Sequence, residues 1–246
     1  NSQFRKKVRV FSEDLKVAKC GNAACSAGNV ITAVDTAGFV GEYSAIAKGA
    51  DGFPVIAYRD STNTQLKVVK CGNAACSAGN VLTAVDGSII VNAGFHPSIA
   101  IGSDGQPVIS YFTINANLRM VKCGDAACSQ GNIVRVVDAA GILNFFISPP
   151  SGAVGADGAR TSIVIGTDGL PMISYYRAAT ADLFVAKCGD SSCSTSTSTG
   201  VDTFQDVGYF SSMAIGTDGL PIISYFDNFS ADMKVAKCGN VACWAG

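Results

Sequence analysis

The segment "SIVIGTDGLPMISY" at residues 162–175 places two short β-branched runs on either side of a Gly-Thr-Asp-Gly turn. This pattern reads as a β-hairpin, with Asp-Gly supplying the positive φ angles of a tight turn. It recurs as "SAIAKGADGFPVIAY" (44–58), "SIAIGSDGQPVISY" (98–111) and "SMAIGTDGLPIISY" (212–225). We name its two strands A and B. A third run such as "LKVAKC" (15–20), strand C, leads into a six-residue two-cysteine loop, and "NVITAVD" (29–35) leaves it as strand D. No stretch shows sustained helical periodicity.

The cysteine loop comes five times: "AKCGNAACSAGN" (18–29), "VKCGNAACSAGN" (69–80), "KCGDAAC" (122–128), "KCGDSSC" (187–193) and "KCGNVAC" (237–243). These copies use all ten cysteines, and the first of each pair falls at 20, 71, 123, 188 and 238. Zinc would need four ligands close together, and His96 is the only histidine. A thioredoxin-like Cys-x-x-Cys is absent. Local bridges Cys20–Cys25, Cys71–Cys76, Cys123–Cys128, Cys188–Cys193 and Cys238–Cys243 are therefore expected. Each would contribute about 2 kcal/mol by loop entropy. Such bridges persist in oxidising compartments, so the protein is expected to be secreted or displayed at a cell surface.

A repeat near 50 residues with four strands per unit predicts an all-β fold, a β-propeller. The chain resembles the repeat arrays of secreted bacterial β-propeller proteins, in which "DGxPxISY" alternates with "LKVAKCGNxxC". The resemblance covers nearly the whole chain and specifies fold, not activity. It implies a single domain over 1–246, with units near 1–35, 44–86, 98–138, 162–206 and 212–246 and an insert at 139–161. Five blades of mostly four antiparallel strands are expected, the first and last incomplete. "KKVRVFSEDLKVAKC" supplies strands B and C but no A, and the last unit stops at "CWAG" before a strand D. A slice of a longer array, or "FRKKVRVF" joining the last blade as its outer strand, are the other readings.

Composition narrows function. Hydrophobic residues make up 48% and charged residues 15% of 246, so a large core is available. The net charge of −1 gives no electrostatic reason to bind nucleic acid or an anionic membrane. The apolar runs are too short to span a bilayer. No metal or cofactor is expected: each Asp-Gly turn carries one carboxylate and no Asp-x-Asp-x-Asp-Gly run occurs.

The resemblance implies that strand A lines a central channel and that the D–A and B–C connections share one face, where ligands bind. Candidate ligand-binding residues there are Glu42, Tyr43, His96, Arg160, Tyr209 and Phe210 ahead of strand A. Arg59, Asp60, Tyr176, Arg177 and Asp227 stand at the ends of strand B. Tyr58, Tyr111, Tyr175 and Tyr225 occupy one position in every unit and are expected to pack between blades. Phe145, Phe146, Pro149 and Pro150 in the insert would cap the channel, meet a partner or tuck against their own blade. Asn228-Phe229-Ser230 is a glycosylation sequon and "STSTSTG" (194–200) a polar loop open to O-linked sugar.

No catalytic residues are assigned. There is no Gly-x-Ser-x-Gly elbow, and Glu13 and Glu42 are the only glutamates. A glycosidase would need Glu42 to work with Asp60 or Asp227. The "GTDGLP" turns resemble sialidase Asp-boxes but lack their spacing and aromatic. The leading expectation is a non-enzymatic extracellular propeller that binds glycan or protein. The alternatives are a surface or filament subunit that self-associates through its terminal blades, and a glycosidase-like or lyase-like enzyme. The single tryptophan, Trp244, lies in the last Cys hairpin, away from the expected binding face.

Overall fold

A computed structural model describes residues 13–87, 90–139 and 158–243. Most of the 139–161 insert, Trp244 and the segment "FRKKVRVF" lie outside the described residues. Among the described residues seventeen strands form five antiparallel sheets. The first sheet pairs β1 (Leu15–Lys19) with β2 (Val30–Asp35). The second runs β3 (Val40–Lys48), β4 (Pro54–Asp60), β5 (Gln65–Lys70), β6 (Val81–Gly87), and the third β7 (Ala93–Ile101), β8 (Pro107–Thr113), β9 (Leu118–Lys122), β10 (Ile133–Asp138). The fourth holds β11 (Thr161–Ile165), β12 (Pro171–Arg177), β13 (Asp182–Cys188) and β14 (Ser196–Asp202). The fifth has three strands, β15 (Val207–Ile215), β16 (Pro221–Asp227) and β17 (Asp232–Lys237). The fold is a five-bladed β-propeller whose first and last blades hold two and three strands among the described residues. Strands A are β3, β7, β11 and β15, and they contact one another in sequence around the centre.

Four apolar clusters fill the four seams between successive blades. Strands B and C send alternate side chains to opposite faces, so one set packs on the blade before and the other on the blade after. The start of strand A lies close against strand C of the preceding blade. Gly41, Gly94 and Gly208 sit there at φ 91, 89 and 104. A Cβ on them would stand 2.8, 3.0 and 2.8 Å from the Cα of Leu15, Leu66 and Leu183. Only glycine fits that crossing.

One polar contact recurs at every seam. The hydroxyls of Tyr58, Tyr111, Tyr175 and Tyr225 donate to Asp35, Asp86, Asp138 and Asp202 on strand D of the preceding blade, at 2.7, 2.5, 2.5 and 2.7 Å. A cation completes each pair. Lys67 lies 2.5 Å from Asp35, Arg119 2.9 Å from Asp86 and Lys234 3.6 Å from Asp202. The fourth blade carries Phe184 where the others carry that base, and Arg177 serves Asp138 instead, at 3.1 Å. Burial, then the adjoining carboxylate, raise the Tyr58, Tyr111, Tyr175 and Tyr225 phenols far above their usual range, so they remain donors.

The A–B turns differ in detail from the expected tight hairpin. Only the glycine is left-handed, at φ 86, 79, 77 and 79 for Gly52, Gly105, Gly169 and Gly219. The aspartate before it accepts the amide two residues on, as Asp104 does from Gln106 at 3.1 Å. It also takes the lysine that precedes the first cysteine: Lys70–Asp51, Lys122–Asp104, Lys187–Asp168 and Lys237–Asp218, at 2.7–2.8 Å. Burial alone would raise Asp104 and Asp168. The lysine and amide hydrogen bonds outweigh it and hold both below the usual carboxylate range. All five Cys loops close on themselves with Cα separations of 4.6–4.8 Å, and no cysteine is free.

Two outcomes follow from these seams and turns. Tyr111→Phe removes a buried donor from Asp86 while preserving ring packing, and is expected to cost about 1–2 kcal/mol in denaturant unfolding. The lowered aspartates make stability pH-dependent in one direction. Their contribution is complete above the unfolded carboxyl value of about 3.9, and is lost as pH falls through the lower folded values. Unfolding midpoints should hold from neutral pH to about 5 and then fall steadily towards pH 2. Lys122→Met, which lets Asp104 return to an ordinary value, should reduce that difference between neutral and acid midpoints.

Candidate functional site

The site is built at the entry of strand A. In three blades the pairing of A with B slips between the third residue of A and its middle, between Glu42 and Ala45, Phe95 and Ser98, and Tyr209 and Ser212. This bulge puts Tyr43, His96 and Phe210 at φ 51, 47 and 53, a left-handed conformation that non-glycine residues seldom adopt. Arg160 holds the same repeat position in the fourth blade. Strain of this kind, repeated at one position in separate blades, draws attention to what that position presents.

What it presents is a pocket of about 380 Å³ at the centre of the ring. Tyr43, His96, Arg160 and Phe210 form its first tier, and Ser44, Pro97, Thr161 and Ser211 its second. Ser98, Ser162 and Ser212 line it deeper along strand A. The Tyr43 and His96 rings lie 4.0 Å apart between centroids, and the Arg160 guanidinium stands 5.4 Å over the Phe210 ring. His96 is buried, whereas Arg160 and Phe210 are exposed. The second tier also ties blades together: Thr161 Oγ1 donates to the His96 carbonyl at 3.1 Å, and the Ser174 hydroxyl donates to Ser211 at 3.1 Å. Among the described residues no carboxylate lines the pocket. Among the described residues no group of three His, Cys, Asp or Glu side chains gathers as around a metal, and no helix is long and apolar enough to cross a membrane.

The sequence-derived candidates divide into two groups. Tyr43, His96, Arg160 and Phe210 come together in the pocket. The others do not line it. Glu42 turns aside, its carboxylate accepting from the Ser61 hydroxyl at 2.5 Å and lying 3.4 Å from Arg59 Nε. Arg59 is buried and reaches the next blade, donating to the Ala93 carbonyl at 2.6 Å and to Asn92 at 2.8 Å, with its guanidinium 3.8 Å over the Phe95 ring. Tyr176 and Tyr209 stack at 4.1 Å across a seam, and the Tyr176 hydroxyl donates to Asp206 at 2.9 Å. Arg177 is the cation of the Asp138 pair.

Asp60 and Asp227 cap B–C turns. Asp60 accepts the Asn63 amide at 2.9 Å; Asp227 accepts the amides of Phe229 and Ser230 at 2.9 and 3.1 Å and pairs with Lys234 at 2.6 Å. Both are buried. These seven side chains therefore serve seams and turns, the five on strand B because that strand ends inside the blade interfaces rather than at the channel. The hydroxyl tier of Ser44, Thr161 and Ser211 is not among the sequence-derived candidates, although a hydroxyl directly after the variable residue in three of four units is a usable signal.

No family model matches the chain, and no curated protein matches it by sequence. Solved structures match by fold. A protein of unknown function from Dyadobacter fermentans aligns over 82% of this chain and 54% of its own, at a TM-score of 0.59 and 10% identity. A leech intramolecular trans-sialidase aligns over 88% of this chain and 34% of its own, at 0.53 and 14%. An α-L-arabinofuranosidase from Lactobacillus brevis aligns over 92% and 83%, at 0.51 and 8%. The chain thus spans about half or less of the first two. At these identities the likeness is one of architecture, and that architecture is the β-propeller.

Proposed function

We propose that this chain is an extracellular propeller that binds a glycan at its central pocket without hydrolysing it. The observation that carries this reading is the make-up of the pocket. Four different side chains, Tyr43, His96, Arg160 and Phe210, stand at one repeat position above hydroxyl-bearing residues, and no carboxylate joins them among the described residues. Aromatic faces suit the apolar faces of sugar rings, while hydroxyls and a guanidinium suit their oxygens. The volume of about 380 Å³ falls in the range of small-ligand sites.

Glycosidase chemistry needs two carboxyl groups flanking the scissile bond. The one glutamate near the pocket is held by Arg59 and Ser61, which disfavours the enzymatic reading. With Arg160 the one lysine or arginine lining the pocket among the described residues, a neutral or singly acidic terminal sugar is better suited than a polyanion. Five local disulfides are consistent with an oxidising compartment, which supports secretion or surface display.

A glycan screen followed by calorimetry tests the proposal. Arg160→Ala and Tyr43→Ala should each weaken the best ligand about tenfold, with little change in melting, since neither residue belongs to the seam latches. Glu42→Gln should leave affinity nearly unchanged. Turnover of a glycoside that Glu42→Gln abolishes would replace this reading with the enzymatic one.

A further inference from the structure

The fifth blade has a face that every other blade buries. Met233 is 77% exposed, while Leu15, Leu66, Leu118 and Leu183 at the same repeat position are 4%, 0%, 0% and 0%. Val235 is 57% exposed against 9%, 0%, 0% and 0% for Val17, Val68, Met120 and Val185. Ile222 is 38% exposed, and Val55, Val108 and Met172 are 0%, 1% and 0%. In the other blades these side chains meet the next blade's hairpin of strands A and B.

The polar half of that seam is also in place. Ser98 and Ser162 accept the amides of Ile163 and Met213 on the next strand A at 3.1 and 3.0 Å. Ser110 and Ser174 bond the hydroxyls of Thr161 and Ser211 on the same strands at 2.8 and 3.1 Å. The fifth blade repeats both positions as Ser212 and Ser224. With Ile222 and Val235 they line a groove of about 250 Å³.

A matching deficit lies at the other end of the row. Ile46 on β3 is 61% exposed, whereas Ile163 and Met213 at its position are 5% and 6%. The first sheet, β1 and β2, has no strand A beside Ile46 among the described residues. Tyr43 of β3 and Phe210 of β15 line the same central pocket, so the two open flanks border one gap.

We propose that this gap is a docking site for one further A–B hairpin of the same repeat type. Its strand A lies along Ser212, Ile222 and Ser224, its apolar side chains cover Met233 and Val235, and its opposite side covers Ile46. The continuity is direct, because the same face is already an interface in four seams. A second copy packed face to face would set Met233 against Met233 and bring no strand amides to the two serines. The inference rests on the fold and is independent of the proposed glycan site.

Met233 is the built-in reporter, since Met120, Met172 and Met213 are buried. The full chain is treated with peroxide, and sulfoxide at each methionine is read by mass spectrometry. Met233 should oxidise at least about tenfold faster than Met172. A synthetic peptide of residues 207–227, or a fusion placing a second copy of 207–231 ahead of residue 14, should slow Met233 to near the Met172 rate and raise the melting temperature. Val235→Lys should abolish both effects without lowering the melting temperature of the chain alone.

Three results would overturn the proposal. Met233 as slow as Met172 in a monomeric chain would mean the face is already covered from within. A dimer split by Val235→Lys would make a second copy the occupant. Met233 left fast by both peptide and fusion would mean the gap does not accept the hairpin.

Discussion

A tyrosine hydroxyl reaching a carboxylate on the blade before it is the contact around which each seam is arranged. Apolar packing alone is not directional and would let one sheet slide over the next. The phenol and carboxylate are both taken from water, so leaving either unpaired is costly, and only one rotation of the blade pairs them. The lysine or arginine beside each aspartate sets an opposite charge against the carboxylate. The strand D that offers the aspartate, and the strand B that carries the tyrosine, must end where they do for the bond to close. The glycine crossing at Gly41, Gly94 and Gly208 then brings the next strand A close enough to seal the seam.

The opposite end of each blade is fastened differently. There the lysine before the first cysteine holds the aspartate of the A–B turn, whose half-exposed carboxylate leaves each ion pair open to water and salt. The disulfide next to it closes only its own loop. These tips fix local shape, and the buried seams supply cohesion. The division leaves the other end of strand A free to vary, and that is where the pocket lies.

Much of this was legible in the sequence because the repeat is nearly literal. Period, strand order, disulfide pairing and the seam role of the four tyrosines all follow from equivalent residues recurring at equivalent places. The pocket was legible in part for the opposite reason. Tyr43, His96, Arg160 and Phe210 stood out by differing where their surroundings did not. Arg59, Asp60, Tyr176, Arg177, Tyr209 and Asp227 were misplaced because strand alternation cannot tell a channel-facing side chain from one whose partner comes from the neighbouring blade. The bulge at the start of strand A also shifts the alternation, so counting by twos through it assigns the wrong face. The substitution of Arg177 for the missing base at Phe184 could be seen only once the strands were paired.

Near-identical seams carry a consequence for assembly. A hairpin that fits the blade before it fits almost any blade in the row, so a folding chain could close in the wrong order or exchange units with a neighbour, a recurrent failure of repeat proteins. The idiosyncratic contacts act against this as labels. Arg59 clamps the loop at Asn92 and Ala93 and lies over Phe95, Arg177 covers Phe184 beside Asp138, and Tyr176 stacks on Tyr209. Among the described residues each pairing exists at one seam only. They add little to a blade considered alone, yet together they number the blades and make one circular order more favourable than its permutations.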